Sequence, residues 1–287
     1  MLYYLIVILA VVMFGGNFAL NDSYRNLRSS SLESILESNF FGALAGFLTL
    51  LMLSGLTLEA TPFTLLMAFL DAVNGLIFIW FAFKALDRVN LSVFSLFSML
   101  GGMLLPSFQG IIFYGEPITV AKIICVVLVT AALGLGVSGA AGKRGGIYYA
   151  GVFVFNGIPG ILAKIYTTAP YPKASENGYS LWITVFAVLV SGLLWLLLCS
   201  KRRTPGFGWK ALTISSANGI LNRVANFLLV VALVHLDASV QSPLVTGGVM
   251  IVSTFICILQ GTKPSRKELL SVLIAFLGVL ALFLIKI

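Results

Sequence analysis

The chain is a string of apolar runs separated by short polar breaks, and the runs repeat at close to one length. That length, about 20 residues, is what an α-helix needs to cross the roughly 30 Å hydrocarbon core of a bilayer. A spanning helix also satisfies its backbone N–H and C=O groups within itself, as hydrocarbon demands. Composition agrees: 59% of residues are hydrophobic and only 10% are charged, where a soluble domain carries about a quarter charged. The mean hydropathy is +1.05. The expected class is an all-α integral membrane protein embedded in the lipid bilayer.

Ten spans are expected, near 2–21, 35–56, 62–85, 90–113, 117–138, 146–167, 179–199, 210–234, 238–260 and 267–286. Several breaks carry helix-start chemistry. Ser30-Ser31-Leu32-Glu33 fits a capping box, and Pro117 and Pro264 suit first-turn positions. The N-terminus is apolar from Leu2 onward without a basic region before it, so it is expected to be a retained first span. Cys125, Cys199 and Cys257 all fall in apolar runs and read as small core residues, with no metal-ligand spacing. The net charge of +8 is scattered through the breaks, without the basic patch and interleaved aromatics of a nucleic-acid binder. No cofactor is expected, and the oligomeric state is left open.

The break GAAGKRGG (Gly139–Gly146) divides the chain into two sets of five spans, 1–142 and 143–287. Gly101-Gly102 recurs as Gly247-Gly248, and Gly115 as Gly261, at one offset of 146. Asn74-Gly75 is echoed by Asn218-Gly219, and Ala85-Leu86 by Ala232-Leu233. Five is odd, so a repeated set would lie inverted, an architecture typical of secondary transporters. The odd-numbered connections hold most of the Lys and Arg residues, including Arg25, Arg28, Arg88 and Arg144. Lys/Arg-rich loops stay cytoplasmic, which puts both termini on the external side of a bacterial inner membrane.

At this point the pattern resembles the drug/metabolite transporter superfamily, in its ten-span form of two EamA-like repeats. MFGGNF (Met13–Phe18) resembles its first-span signature, and FYGEPIT (Phe113–Thr119) is similar to its turn before a repeat's last span. ALDRVNLS (Ala85–Ser92) and ALVHLDAS (Ala232–Ser239) look like its short hinge. The chain departs from the family at Phe14, where tryptophan is frequent, and at Thr262, where an acid is. It also has no acidic residue in the first span before Asp22. The resemblance implies a small-molecule carrier with a central cavity, and favours export.

Polar residues inside spans are costly, and therefore candidates for a site. SANGILNRVANF (Ser216–Phe227) puts Asn218, Asn222 and Asn226 four residues apart, with Arg223 among them. At about 100° per residue the four fit an arc of roughly 140°. That arc reads as a cavity wall, with Arg223 anchoring an anion or carboxylate and the amides orienting the rest. The alternative is helix glue around a structural ion pair. Asp71 with Asn74, on the third span, is the expected opposite wall, and an Asp71–Arg223 pair would relieve both charges and form a gate. A coupling proton at Asp71 stays open, because burial and a neighbouring arginine act on a carboxylate in opposite directions.

FNGIPGILAK (Phe155–Lys164) places Pro159 between two glycines, with Asn156 as a further site candidate and Lys164 expected to snorkel. Asn17 occupies a corresponding place in the first span. Glu116 reads as a structural first-turn acid.

An enzyme is not expected. GVSG (Gly136–Gly139) matches a rhomboid-like serine motif, but His235, the single histidine, belongs at the other end of its span. The expected activity is secondary transport by alternating access. The cargo would be a small polar or amphipathic metabolite, amino-acid-like compounds leading. The runner-up is a carrier of cationic or neutral amphipathic compounds, centred on Asp71. A non-transporting membrane protein would carry a larger extramembrane surface.

Overall fold

The computed structural model describes residues 2–54, 59–139, 146–199, 208–233, 235–236, 238–261 and 264–284. Among them are ten helices and no strand. The first five are α1 (Leu2–Arg28), α2 (Leu32–Ser54), α3 (Pro62–Leu86), α4 (Leu91–Tyr114) and α5 (Val120–Gly139). The others are α6 (Gly146–Thr168), α7 (Glu176–Cys199), α8 (Trp209–Leu233), α9 (Ala238–Leu259) and α10 (Arg266–Leu284). Seven of them, α1 to α4 and α6 to α8, are long and apolar enough to cross a membrane. Shorter apolar stretches lie at Val120–Gly136 and Leu244–Leu259. This is the make-up of a helical membrane protein. Residues 140–145 of the expected mid-chain boundary lie outside the described residues, as do Lys201, Arg202, Arg203, Thr262, Lys263 and Lys286.

The helix starts differ from expectation in their caps. At α2 the capping oxygen is that of Ser31, which accepts from the Ser34 backbone N–H at 3.3 Å, so Ser30-x-x-Glu33 is one residue out of register. Thr61 caps α3 through Thr64, with Pro62 in the first turn. Pro117 and Pro264 precede the helices they were expected to open, because the caps are Thr119 and Ser265. Ser265 and Glu268 bond reciprocally, Ser265 N–H to Glu268 at 2.6 Å and Glu268 N–H to Ser265 at 3.3 Å, a true capping box.

Side-chain contacts sort the helix ends into two groups. Arg25 at the end of α1 reaches Asp87 at 3.2 Å, and Asn90 reaches Glu268 at the start of α10. The connections after α1, α3 and α9 therefore meet at one end, which also carries Arg28, Lys84 and Arg88 and is called here the basic end. At the other end Thr64 meets Tyr166, Tyr114 meets Thr168, and Trp182 donates to the Glu59 carbonyl. Tyr3 stacks on His235 there, with ring centroids 3.9 Å apart. The helices thus run alternately up and down.

The core centres on α4, whose Val93, Phe94, Leu96 and Leu100 are at most 1% exposed. It packs against α6 and α9, while α5 packs on α10. Cys125 and Cys257 are buried in this core. Small residues set the closest approaches, as expected in lipid. A Cβ at Gly101 would overlap the Phe153 backbone, and one at Gly157 would lie 2.6 Å from the Gly101 carbonyl oxygen. Pro159 is accommodated inside a continuous α6.

The two echoed glycines of α3 and α8 have opposite surroundings. A Cβ on Gly219 would overlap the Gly42 carbonyl of α2, whereas one on Gly75 would meet nothing within 4 Å. Gly219→Ala is expected to lower the thermal midpoint in detergent and Gly75→Ala to leave it unchanged or raise it. Alanine is worth about 0.5–1 kcal/mol over glycine in a helix interior where it fits. Equal effects in a fluorescence melt would contradict the α2–α8 contact.

Candidate functional site

A cavity of about 680 Å³ lies between α1, α2, α3, α6, α7 and α8. Its polar wall on α8 contains Asn218, Asn222, Arg223 and Asn226; Asp71 of α3 and Asn156 of α6 also line it. Asn17 belongs to the lining, together with Asn21, Ser38, Asn39, Tyr166 and Tyr179, which had no place in the sequence reading. Asn21 was legible, since it stands four residues from Asn17 on the same helix face.

Arg223 is about midway along α8. Its stem rests on α2 at Gly46, where an added Cβ would lie 3.1 Å from Arg223 Cγ. Among the described residues the guanidinium has no hydrogen bond and no ion pair within 4.0 Å. A cation at that depth is costly unless water or a ligand meets it. The cavity is the place where either can.

The three asparagines do not act alike. Asn218 is bound to α1: Asn17 donates to its carbonyl at 2.9 Å and to its side-chain oxygen, and its own amide donates to Asn21. It braces α8 against α1 from the cavity wall. Asn226 donates to the Asn222 carbonyl at 2.8 Å, within the helix. It also reaches the Asn222 side-chain oxygen at 3.3 Å, which leaves the Asn222 amide N–H groups and the Asn226 side-chain oxygen, both on cavity-lining residues, without a hydrogen bond among the described residues. Asn156 donates to the Ser98 carbonyl at 2.7 Å and so also ties α6 to α4.

Two expectations are corrected. Asn74 is not on the cavity wall: it is 4% exposed and donates to the Phe155 carbonyl at 3.0 Å, bracing α3 against α6. Asp71 and Arg223 do not pair directly. They face the same cavity and interact electrostatically, but Asp71 accepts a hydrogen bond from the Tyr179 hydroxyl at 3.2 Å. Tyr179 stacks on Tyr166 at 4.2 Å, and Tyr166 donates to the Ala174 carbonyl at 2.7 Å. That pinned pair holds Asp71 to its own wall.

The basic end of the cavity is shut. Beyond Asn21 and Ser38 lie Tyr24, Ile35, Phe83 and Ala211, each at most 1% exposed, from α1, α2, α3 and α8. Glu37, one turn inside α2 and 2% exposed at its side chain, accepts from Tyr24 at 3.0 Å and from Arg28 at 2.9 Å. At the other end the lining runs out to exposed Thr167, Glu176, Asn226 and Val230, so the cavity opens there.

Beside that mouth Lys164 does not snorkel freely. It pairs with Glu116, which Lys122 also reaches at 3.4 Å. Glu116 precedes α5 in the connection and is no first-turn acid. Its carboxyl is held below the ordinary range, first by the hydrogen bond from Lys164 and then by the two lysine charges, against some desolvation. A depressed pKa contributes stability above the unfolded value, and that stability is lost as pH falls through the folded one. The cluster is partly open to solvent, with Glu116 39% exposed at its side chain, so its contribution is small. The thermal midpoint of the wild type is expected to exceed that of Glu116→Gln at neutral pH and to converge on it as pH falls below the ordinary carboxylate range. A gap that persists in the acid melt would contradict the assignment.

No family model and no curated protein matches the chain. Its fold is nevertheless shared with solved structures, of which 27 chains match. One, described only as "Crystal structure of protein", superposes with a TM-score of 0.63 over 97% of this chain and 95% of that chain, at 15% identity. At that identity the likeness is one of fold alone, and it extends over nearly the whole of both chains.

Proposed function

We propose that the protein is a secondary-active transporter, built of ten spanning helices in two inverted five-helix repeats over 1–142 and 143–287. It moves a small polar or amphipathic metabolite bearing a carboxylate, with amino-acid-like compounds first in line. The observation that carries this reading is Arg223: a mid-helix guanidinium without a protein hydrogen-bond partner among the described residues, facing a cavity of about 680 Å³. Arg223 holds the carboxylate, since a planar fork suits that group. Asn222 and Asn226 orient it. The resemblance to the drug/metabolite transporter superfamily favours export, and the basic end is cytoplasmic by the bias of Lys and Arg.

Alternating access is supported by the way the helices pair. α1 packs on α8 and α9, and α6 on α3 and α4; α2 packs on α7 and α8, and α7 on α2 and α3. Exchanging the two sets of five maps these pairings onto one another. Gly115 and Gly261, one repeat apart, both take positive φ, 65° and 80°, a conformation that glycine adopts without strain. Tyr24 and Glu37 meet at the shut end, while Tyr166 and Tyr179, equally spaced in sequence, stack at the open end. Opening the basic end then requires Tyr24 and Phe83 to part, while α8 swings Val230 toward the tyrosine pair.

The test is transport by purified protein in proteoliposomes. Uptake of labelled amino acids driven by counterflow, lost in Arg223→Gln, is expected. Transport only of cations or neutral amphipaths, lost in Asp71→Asn and retained in Arg223→Gln, would contradict it.

A further inference from the structure

We infer that the cavity is built for a zwitterion, with Asp71 as an ammonium subsite set apart from the carboxylate subsite at Arg223. This deepens the proposed function and rests on the reading of the cavity as a substrate site.

Two opposite charges face one cavity here without meeting. If each served only to neutralise the other, contact would be the cheaper arrangement, because an unpaired charge at membrane depth is costly. Each charge is instead held by its own wall. The Tyr179 hydroxyl holds one oxygen of Asp71 at 3.2 Å. Tyr179 in turn cannot follow Asp71 across, since its ring stacks on Tyr166, whose hydroxyl is fixed by Thr64 at 3.0 Å and by the Ala174 carbonyl. On the other wall the Arg223 stem lies in the recess that Gly46 leaves on α2.

The two charges are thus presented by separate, braced walls. A cation or an anion alone would satisfy one and leave the other bare. A ligand with an ammonium and a carboxylate on neighbouring atoms satisfies both. The rest of the lining describes its third substituent: Phe14, Phe78, Ile183 and Ala187 make an apolar surface in the same cavity. The ligand is therefore a zwitterion with an apolar side chain. Asp71 contacts its ammonium, and Tyr179 is a positioning residue that acts through Asp71.

The test needs no variant at first. Binding to the purified wild type in detergent is measured by calorimetry for L-leucine and L-phenylalanine, for their N-acetyl forms, and for their α-amides. Binding of the free amino acids with loss of at least about tenfold in both blocked series, roughly one charge-assisted hydrogen bond, is expected. Asp71→Asn should then lose discrimination against the N-acetyl forms while retaining that against the amides, and Tyr179→Phe should weaken it in part. N-acetyl forms that bind as well as their parents would overturn the ammonium subsite and leave the carboxylate reading at Arg223 intact. Amides that bind as well as their parents would instead overturn the Arg223 reading. Absence of binding by all three series would overturn both.

Discussion

Arg223→Gln is expected to remove carboxylate binding, by about a hundredfold or more. Hydrogen bonds to charged groups contribute about 1.5–3 kcal/mol each, and a guanidinium fork makes two, so a loss near 3 kcal/mol is a conservative figure. At about 1.4 kcal/mol per tenfold, that is roughly a hundredfold in Kd. The substitution abandons no hydrogen bond among the described residues and costs Asp71 only a through-space attraction across the cavity, while its hydrogen bond from Tyr179 stays. Folding should therefore be spared, and relieving a costly charge at mid-helix should leave the thermal midpoint unchanged or raised. Arg223→Lys keeps the charge and loses the fork, and should fall between. Calorimetric titration beside a melt separates the two properties. A variant that melts far below the wild type, with binding intact, would mark Arg223 as structural.

Glu37→Gln should do the reverse, with a large cost in stability. Glu37 is 2% exposed at its side chain and is the shared acceptor of Tyr24 and Arg28. Losing that shared charged acceptor costs about 3 kcal/mol or more, at about 1.5–3 kcal/mol per hydrogen bond to a charged group. For a chain of this size that is a fall on the order of 10 °C in the thermal midpoint. The same contact closes the basic end, joining α1 to α2 below the cavity, so its loss should also admit water from that side. A cysteine at Ser38, closed in the parent to reagent added at the basic end, should become reactive from that end in Glu37→Gln. Replacing Arg28 and Glu37 together by leucine should recover much of the stability, since apolar replacement of a buried pair is often neutral or better. An unchanged midpoint and a Ser38 that stays silent would contradict the seal.

The helices were legible because hydrophobic run length is a one-dimensional property, and each expected span overlaps one of α1 to α10. Their ends were less so, since a cap depends on which hydroxyl faces the first turn. Ser31 and Ser30 cannot be told apart by composition. The stripe on α8 was visible as a spacing, but spacing does not say where an amide is spent. Asn218 is bonded to Asn17 and Asn21 of α1, residues about 200 positions away, while Asn222 bonds only within its own helix, through Asn226. Opposite charges in spans suggested an Asp71–Arg223 pair, yet nothing in the sequence singles out Tyr179 as the residue that keeps them apart. Gly46 was equally silent, because its role is the room it leaves for another helix's arginine. Glu37 could have been found: it is an acid within an expected span, and such residues are rare without a partner or a function.

The central claim is that the polar stripe of α8 faces water inside the membrane. The most direct measurement places single cysteines at Asn222 and Asn226, with controls at Ile220 and Val224, after Cys125, Cys199 and Cys257 are replaced by alanine. Labelling is read with a membrane-impermeant maleimide added from the side of the α6–α7 connection. Rapid labelling at 222 and 226, with Ile220 and Val224 unreactive, is the predicted result, and a carboxylate substrate should slow it. Silence at 222 and 226, while a cysteine at exposed Glu176 reacts, would mean that the stripe is sealed between helices and that Arg223 serves the fold.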